Sequence, residues 1–219
     1  YQEVKPFWII REVNGNIWSN YARMYNPNAF SNCQAGYNLN VTFKNNYDIN
    51  LNGYFQGNTN NYYETRVLGR YYAEQPHWSN NYNIQSDWRK PVTVYFHLGH
   101  SNYIDSDQHS IFTDLDAVWK IGQHVTLEFY NGLNYSLNDR GYVCRDGSEI
   151  IFAKRDVKAI SNILSASYVI NNKTSLSLRA RHYWSGADNK AYYDLLQNGS
   201  LQLKNGYQDN QDINYNALT

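Results

Sequence analysis

Residues 173–184 read Lys173-Thr174-Ser175-Leu176-Ser177-Leu178-Arg179-Ala180-Arg181-His182-Tyr183-Trp184. Leu176, Leu178, Ala180, His182 and Trp184 fall on one side of an extended chain, and Ser175, Ser177, Arg179, Arg181 and Tyr183 on the other. A period of two marks a β-strand, because successive side chains leave opposite faces. The alternation recurs along nearly the whole chain. Each run is about as long as a strand needs to cross a bilayer, roughly 9–11 residues.

Outward from this stretch, residues 157–170 form its partner strand, with a tight turn at Asn171-Asn172. Residues 111–119 pair with 125–137 through Ile121-Gly122, and Val92, Val94, Phe96 and Leu98 form another apolar face. Tyr37, Leu39, Val41 and Phe43 alternate with Asn38, Asn40, Thr42 and Lys44, then turn at Asn45-Asn46 into Ile49, Leu51, Gly53 and Phe55. Residues 60–72 and 78–88 read as a further pair around Pro76. Residues 4–13 and 16–26 read as a hairpin around Asn14-Gly15, because Asn-Gly is the strongest two-residue turn signal. Residues 27–35 read as a loop, 138–147 as an excursion, and 191–203 as an irregular stretch with a short helix or turn. The expectation is all-β: about 12–14 antiparallel strands forming part of a larger transmembrane β-barrel. No heptad, βαβ rhythm or short repeat is present.

Composition is compatible with that fold. The 219 residues carry 19 basic and 19 acidic side chains, so net charge is zero. No basic excess points to nucleic acid. Mean hydropathy is −0.71, too polar for a helical membrane protein but not for a barrel, which turns only every second residue to lipid. There are 22 Tyr, 6 Trp and 8 Phe against one Met and four Pro. Tyr and Trp gather at membrane–water interfaces, although a Tyr-rich secreted β-protein has the same composition. Cys33 and Cys144 lie far apart in sequence, and spacing alone does not pair them. Residues 1–219 read without a signal-peptide pattern and without an apolar run of helix-spanning length. It starts in strand-like sequence and ends in a polar run. Residues 1–219 are therefore expected to be one barrel region cut at both ends.

Alternation also sorts the charges. Arg179 and Arg181 oppose Leu176 and Leu178, so they are expected to line the lumen, together with Glu64, Arg66, Asp87, Arg89 and Glu128. A Lys or Arg on the lipid face at mid-membrane costs roughly 2–4 kcal/mol. These charges either pair across the interior or form a charged constriction or sugar-contacting wall. Trp88, Trp119 and Trp184 lie near strand ends and are expected at the membrane interface. His97 and His100 are three apart, so they face opposite ways and do not chelate together. Asp105 and Asp107 read as a solvated loop, and Asp114 and Asp116 as lumenal polar residues. No nucleophile elbow, phosphate loop or metal-binding motif is present, so no catalytic residue, metal or cofactor is expected.

Several segments carry a family resemblance: Ile151-Phe152-Ala153-Lys154-Arg155-Asp156-Val157, Leu164-Ser165-Ala166-Ser167-Tyr168, residues 176–185, Tyr193-Asp194-Leu195 and Asn198-Gly199-Ser200-Leu201. Upstream, Glu64-Thr65-Arg66 and Ser86-Asp87-Trp88-Arg89-Lys90 extend it. Together they resemble the C-terminal barrel region of the gram-negative outer-membrane proteins grouped as domain of unknown function family 5916. That family carries Pro where Thr65 stands, and a domain resembling carbohydrate-binding module family nine precedes its barrel.

The resemblance implies the cell outer membrane as location. Its lipid is the expected partner, with carbohydrate and other outer-membrane proteins as further ones. The expected role is an anchor or conduit for a carbohydrate-related upstream domain, without catalysis of its own. Two alternatives stand beside it. One is a secreted all-β carbohydrate-binding or glycoside-hydrolase domain. The other is a structural accessory of an outer-membrane secretion or uptake complex.

Overall fold

A computed structural model describes residues 2–3, 5–26, 28–207 and 213–218. Val4, Pro27 and Asp212, placed above in a strand, a loop and the terminal polar run, lie outside the described residues. Fourteen strands are present among them: β1 (Gln2–Glu3), β2 (Ile10–Met24), β3 (Ala29–Phe43), β4 (Asp48–Gln56), β5 (Thr59–Asn61), β6 (Tyr72–Glu74), β7 (His77–Gln85), β8 (Val92–Tyr103), β9 (His109–Ile121), β10 (Val125–Asp146), β11 (Glu149–Asn171), β12 (Thr174–Leu195), β13 (Leu201–Leu203) and β14 (Ile213–Leu218). The described residues contain no helix.

Twelve strands form one antiparallel sheet in the order β1-β2-β3-β4-β7-β8-β9-β10-β11-β12-β13, with β14 also on β12. β5 and β6 make a separate hairpin. The chain thus meanders, each strand beside its predecessor except where residues 57–76 intervene and where β14 returns to β12 instead of β13. The sheet is open: among the described residues the β1–β2 edge and the β13–β14 edge do not pair with each other.

Register fixes the faces, because directly opposed residues point the same way. One row runs Leu39, Leu51, Tyr82, Leu98, Thr113, Leu133, Ile160, Trp184. The row beside it, on the other face, runs Asn40, Asn50, Asn83, His97, Asp114, Gly132, Ser161, Tyr183. Among the described residues nothing covers the apolar face as a second layer. Leu164 is 58% exposed, Leu178 71% and Ile17 88%. The hydrophobic core cluster, Tyr72, Ile150, Phe152 and Leu195, sits instead at one end.

The strands lean. The Thr42–Asp48 pair closes the β3–β4 turn, and its row crosses the sheet through Gln85, Tyr95, Asp116 and Tyr130 to Ile163. The β9–β10 turn closes at Ile121–Val125, five residues beyond Asp116 and four strand spacings away. The β11–β12 turn closes at Asn171–Thr174, eight residues beyond Ile163 and six spacings away. At about 3.3 Å per residue and 4.8 Å per strand, the strands tilt by about 42° from the normal to a plane through these turns. Closed barrels tilt their strands by roughly 35–45°. On β10 the outer side runs from Val125 to Tyr135, apolar except for Asn131, which donates to Asn162 on the same face at 2.7 Å, and it measures about 33 Å along the strand and about 25 Å along that normal.

The sheet also curls. Asn60 of β5 donates to the Phe30 carbonyl of β3 at 3.2 Å. Its cross-strand partner Ala73 donates to the Gly199 carbonyl, just past β12, at 2.8 Å. In a flat sheet β3 and β12 would stand about 34 Å apart; here one cross-strand pair bridges them. Glycines on the inner, polar face permit the close approach. A Cβ on Gly99 would lie 2.2 Å from the Phe112 ring, and one on Gly36 2.6 Å from Trp18.

Several boundaries differ from the sequence reading. β2 runs straight through Asn14-Gly15, and neither residue has positive φ; the hairpin turns instead after Met24. Residues 29–35 are strand, not loop. β10 continues through 138–146, absorbing Asn138 as a bulge with φ of 54°. Residues 191–203 hold the end of β12 and β13, not a helix. Residues 78–85 are strand as expected, within β7, but β7 pairs with β4 and β8 and residues 60–72 are not one long strand, because side chains cap the backbone. Asn61 accepts from the amides of Tyr63 and Glu64 at 3.1 and 3.0 Å, and Asp87 accepts from that of Arg89 at 3.1 Å. Such Asx turns end β5 and β7 early.

Candidate functional site

The polar face of the sheet divides in two. Across β3, β4 and β7 it is tiled with amides, which bond to one another: Asn50 donates to Asn40 (2.6 Å), Asn83 to Asn50 (2.8 Å) and Asn81 to Asn52 (2.9 Å). Across β8 to β12 it carries charge. His97 contacts Asp114 at 3.1 Å and Asn81 at 3.3 Å, and Tyr130 donates to Asp114 at 2.6 Å. A continuous hydrogen-bonded strip thus spans six strands. Beside this cluster a shallow depression of about 280 Å³ is lined by Asp114, Gly132, Asn134, Ser161 and the rings of Phe112 and Tyr183.

Glu128, Arg179 and Arg181 lie on this face. Ser165 of β11 opposes both Glu128 and Arg179, which separates those two by two spacings, about 10 Å. Arg181 packs over the Tyr183 ring at 5.4 Å. His97 and His100 point to opposite faces: His100 stacks on Tyr82 among the apolar residues.

The structure does not bring Glu64, Arg66, Asp87 and Arg89 to this surface. Asp87 and Arg89 form a clamp in the β7–β8 loop, with Nε and Nη2 of Arg89 donating to the two carboxylate oxygens at 2.9 Å each. The Asp87 side chain is 3% exposed. The Arg89 hydrogen bond holds its carboxyl well below the ordinary range, at about 2. Glu64 and Arg66 lie in the 57–76 insert, where both engage one residue of β10: Glu64 accepts from the Tyr142 amide at 2.9 Å, and Arg66 sits over the Tyr142 ring at 5.1 Å. Thr65 between them is fully buried, its hydroxyl 3.1 Å from the Arg70 carbonyl.

Trp119 and Trp184 both lie on the apolar face, opposed by Leu127 and Ile160. Trp119 is two residues from the end of β9 and Trp184 ten from the start of β12, heights of about 5 and 25 Å above the turn plane. Trp184 Nε1 donates to Asn214 at 3.0 Å. Trp88 stands in the Asp87–Arg89 loop, 63% exposed. Cys33 and Cys144 are both free. Asp107 is not merely solvated: it pairs with Arg140 at 3.0 Å and with Lys154.

Sequence reasoning missed the amide tiling and the His97–Asp114–Tyr130 cluster. Its trace was present: Asn38 and Asn40, Asn50 and Asn52, Asn81 and Asn83 each lie two apart. Asn is disfavoured in strands, so paired Asn on three strands marks a polar face. Only register could show that they meet.

These features define a class: a curled, open, all-antiparallel sheet with an uncovered apolar outer face and a hydrogen-bonded polar inner one. The family model for a domain of unknown function (DUF5916) matches residues 1–219, and the chain belongs to that family. No curated protein and no solved structure matches the chain.

Proposed function

We propose that this chain is a wall segment of a transmembrane β-barrel in a gram-negative outer membrane, anchoring or forming a conduit for a carbohydrate-related upstream domain. The observation that carries the reading is the uncovered apolar face. Large aliphatic side chains such as Leu164, Leu176 and Leu178 are more than half exposed, and contiguous exposed apolar surface on this scale calls for a partner or a bilayer. Three features favour the bilayer. The apolar band is about 25 Å tall, close to the lipid-facing band of such barrels. The strand tilt of about 42° is that of a closed barrel. Trp119 and Trp184 stand near the two borders of the band, where aromatic girdles sit. The open edges fit a barrel completed by further strands, since an unpaired edge in lipid leaves backbone groups unsatisfied.

The test is the behaviour of the purified full-length protein. A barrel requires detergent to stay in solution and migrates differently on gels with and without boiling. A detergent-free soluble monomer with unchanged migration contradicts the proposal.

A further inference from the structure

We infer that residues 57–76 plug one mouth of this barrel, so that the protein is an occluded anchor and not an open diffusion pore; the inference rests on the barrel reading above.

The insert is far longer than its connection demands. Gln56 and His77 are directly opposed on adjacent strands. A hairpin loop of roughly two to five residues would join them, yet twenty residues intervene.

Its contacts show where it goes. It leaves β4 beside β3, where Gly57 donates to the Cys33 carbonyl at 2.9 Å and Asn60 to that of Phe30 at 3.2 Å. It then reaches the far wall. Arg70 Nη2 lies 2.9 Å from the carbonyl oxygens of both Leu195 and Leu196, and the Tyr72 ring packs on Phe152 of β11 at 5.1 Å. It returns past β8, where Tyr103 donates to Glu74 at 3.2 Å. A segment outside the curl could not touch β3 and β12 within so few residues. Its side-chain partners at β4 and β8 belong to the polar face, namely Gln56, which donates to Thr59 at 2.8 Å, and Tyr103; Phe152 lies beyond the β10 bulge, on the side of β11 that also carries Ile160. The insert therefore spans one rim of the curled sheet, from β3 past β8 to the end of β12.

It is also fixed. Mobile lids have few buried contacts. Here the hydrophobic core cluster is what holds the insert: Tyr72 of β6 is one of its members, and Val67 packs against it. Thr65 is fully buried and knots the turn between β5 and β6 through backbone carbonyls. A solute cannot push this segment aside without exposing that cluster.

The experiment uses the natural full-length protein, purified in detergent and placed in planar bilayers. It is compared with a variant in which residues 60–72 are replaced by a short Gly-Ser linker, and with Arg70→Ala/Tyr72→Ala. Heat-modifiable migration is scored first on each. The wild type is expected to be electrically silent, and the heat-modifiable variants to conduct with about ten-fold or greater increase in current. A wild type that conducts as well as the variants overturns the plug and leaves the barrel standing. So does silence in every heat-modifiable variant, because something other than the insert then closes the lumen. If the linker variant fails to fold, the wild-type current and the double substitution decide alone. A wild type that needs no detergent and shows no heat-dependent migration overturns the barrel reading itself.

Discussion

At the scale of the residue, Leu164 separates the two environments most sharply. It stands near mid-band on β11, between Phe129 and Ala180, and most of its side chain is exposed. In water, replacing an exposed Leu by Arg changes stability by only about 0.5 kcal/mol either way. In lipid the same change costs roughly 2–4 kcal/mol. Leu164→Arg is therefore expected to lower stability by that larger amount in denaturant titrations of vesicle-folded protein, while Ser165→Arg on the polar face has little effect. Asp87 offers a second residue-scale prediction. Arg89 lowers its pKa from 3.8 to about 2. The clamp thus stabilises the loop fully above about pH 4, and the contribution is lost as pH falls through 2. Trp88 emission, isolated by difference against Trp88→Phe, is expected to titrate near pH 2, and Arg89→Ala to move the midpoint up toward the ordinary carboxylate range. An unmoved midpoint would show that the clamp does not set it.

At the scale of the element, alternation was legible wherever a strand was long and two-sided. The 37–43 and 49–55 runs, β9 with β10, and β11 with β12 all follow their sequence pattern, because nothing local competes with it. The reading failed where a side chain captured backbone amides. Tyr62, Tyr63 and Val67 look like strand formers, yet Asn61 turns the chain before they can pair. Asn14-Gly15 failed the opposite way: a strong turn signal was overridden by continuous pairing to β3. Two element-scale predictions follow from packing. Thr65→Val keeps the volume but strands the Arg70 carbonyl, at a cost of roughly 1–3 kcal/mol; amide exchange across 62–71 is expected to quicken while that of β9 does not. Gly99→Val forces a side chain against Phe112 and is expected to cost about 1–3 kcal/mol, read as a lower denaturation midpoint.

At the scale of the whole molecule, the face assignment was readable in the sequence, but the curl and the insert were not. Curl depends on which strands a distant hairpin bridges, and the Asn60–Ala73 pair reports that only once register is known. The polar strip from Asn40 to Tyr130 likewise exists only because six strands place their polar rows side by side. Everything rests on the apolar row meeting acyl chains and the polar row meeting water. Single cysteines along β11 from Ile160 to Tyr168, in a Cys33→Ser/Cys144→Ser background of the full-length protein, carry a fluorophore in vesicles and are exposed to a lipid-confined or a water-soluble quencher. Positions 160, 162, 164, 166 and 168 are expected to respond to the lipid quencher, and 161, 163, 165 and 167 to the aqueous one. Quenching by the aqueous agent at both sets, with no period of two, would contradict the account.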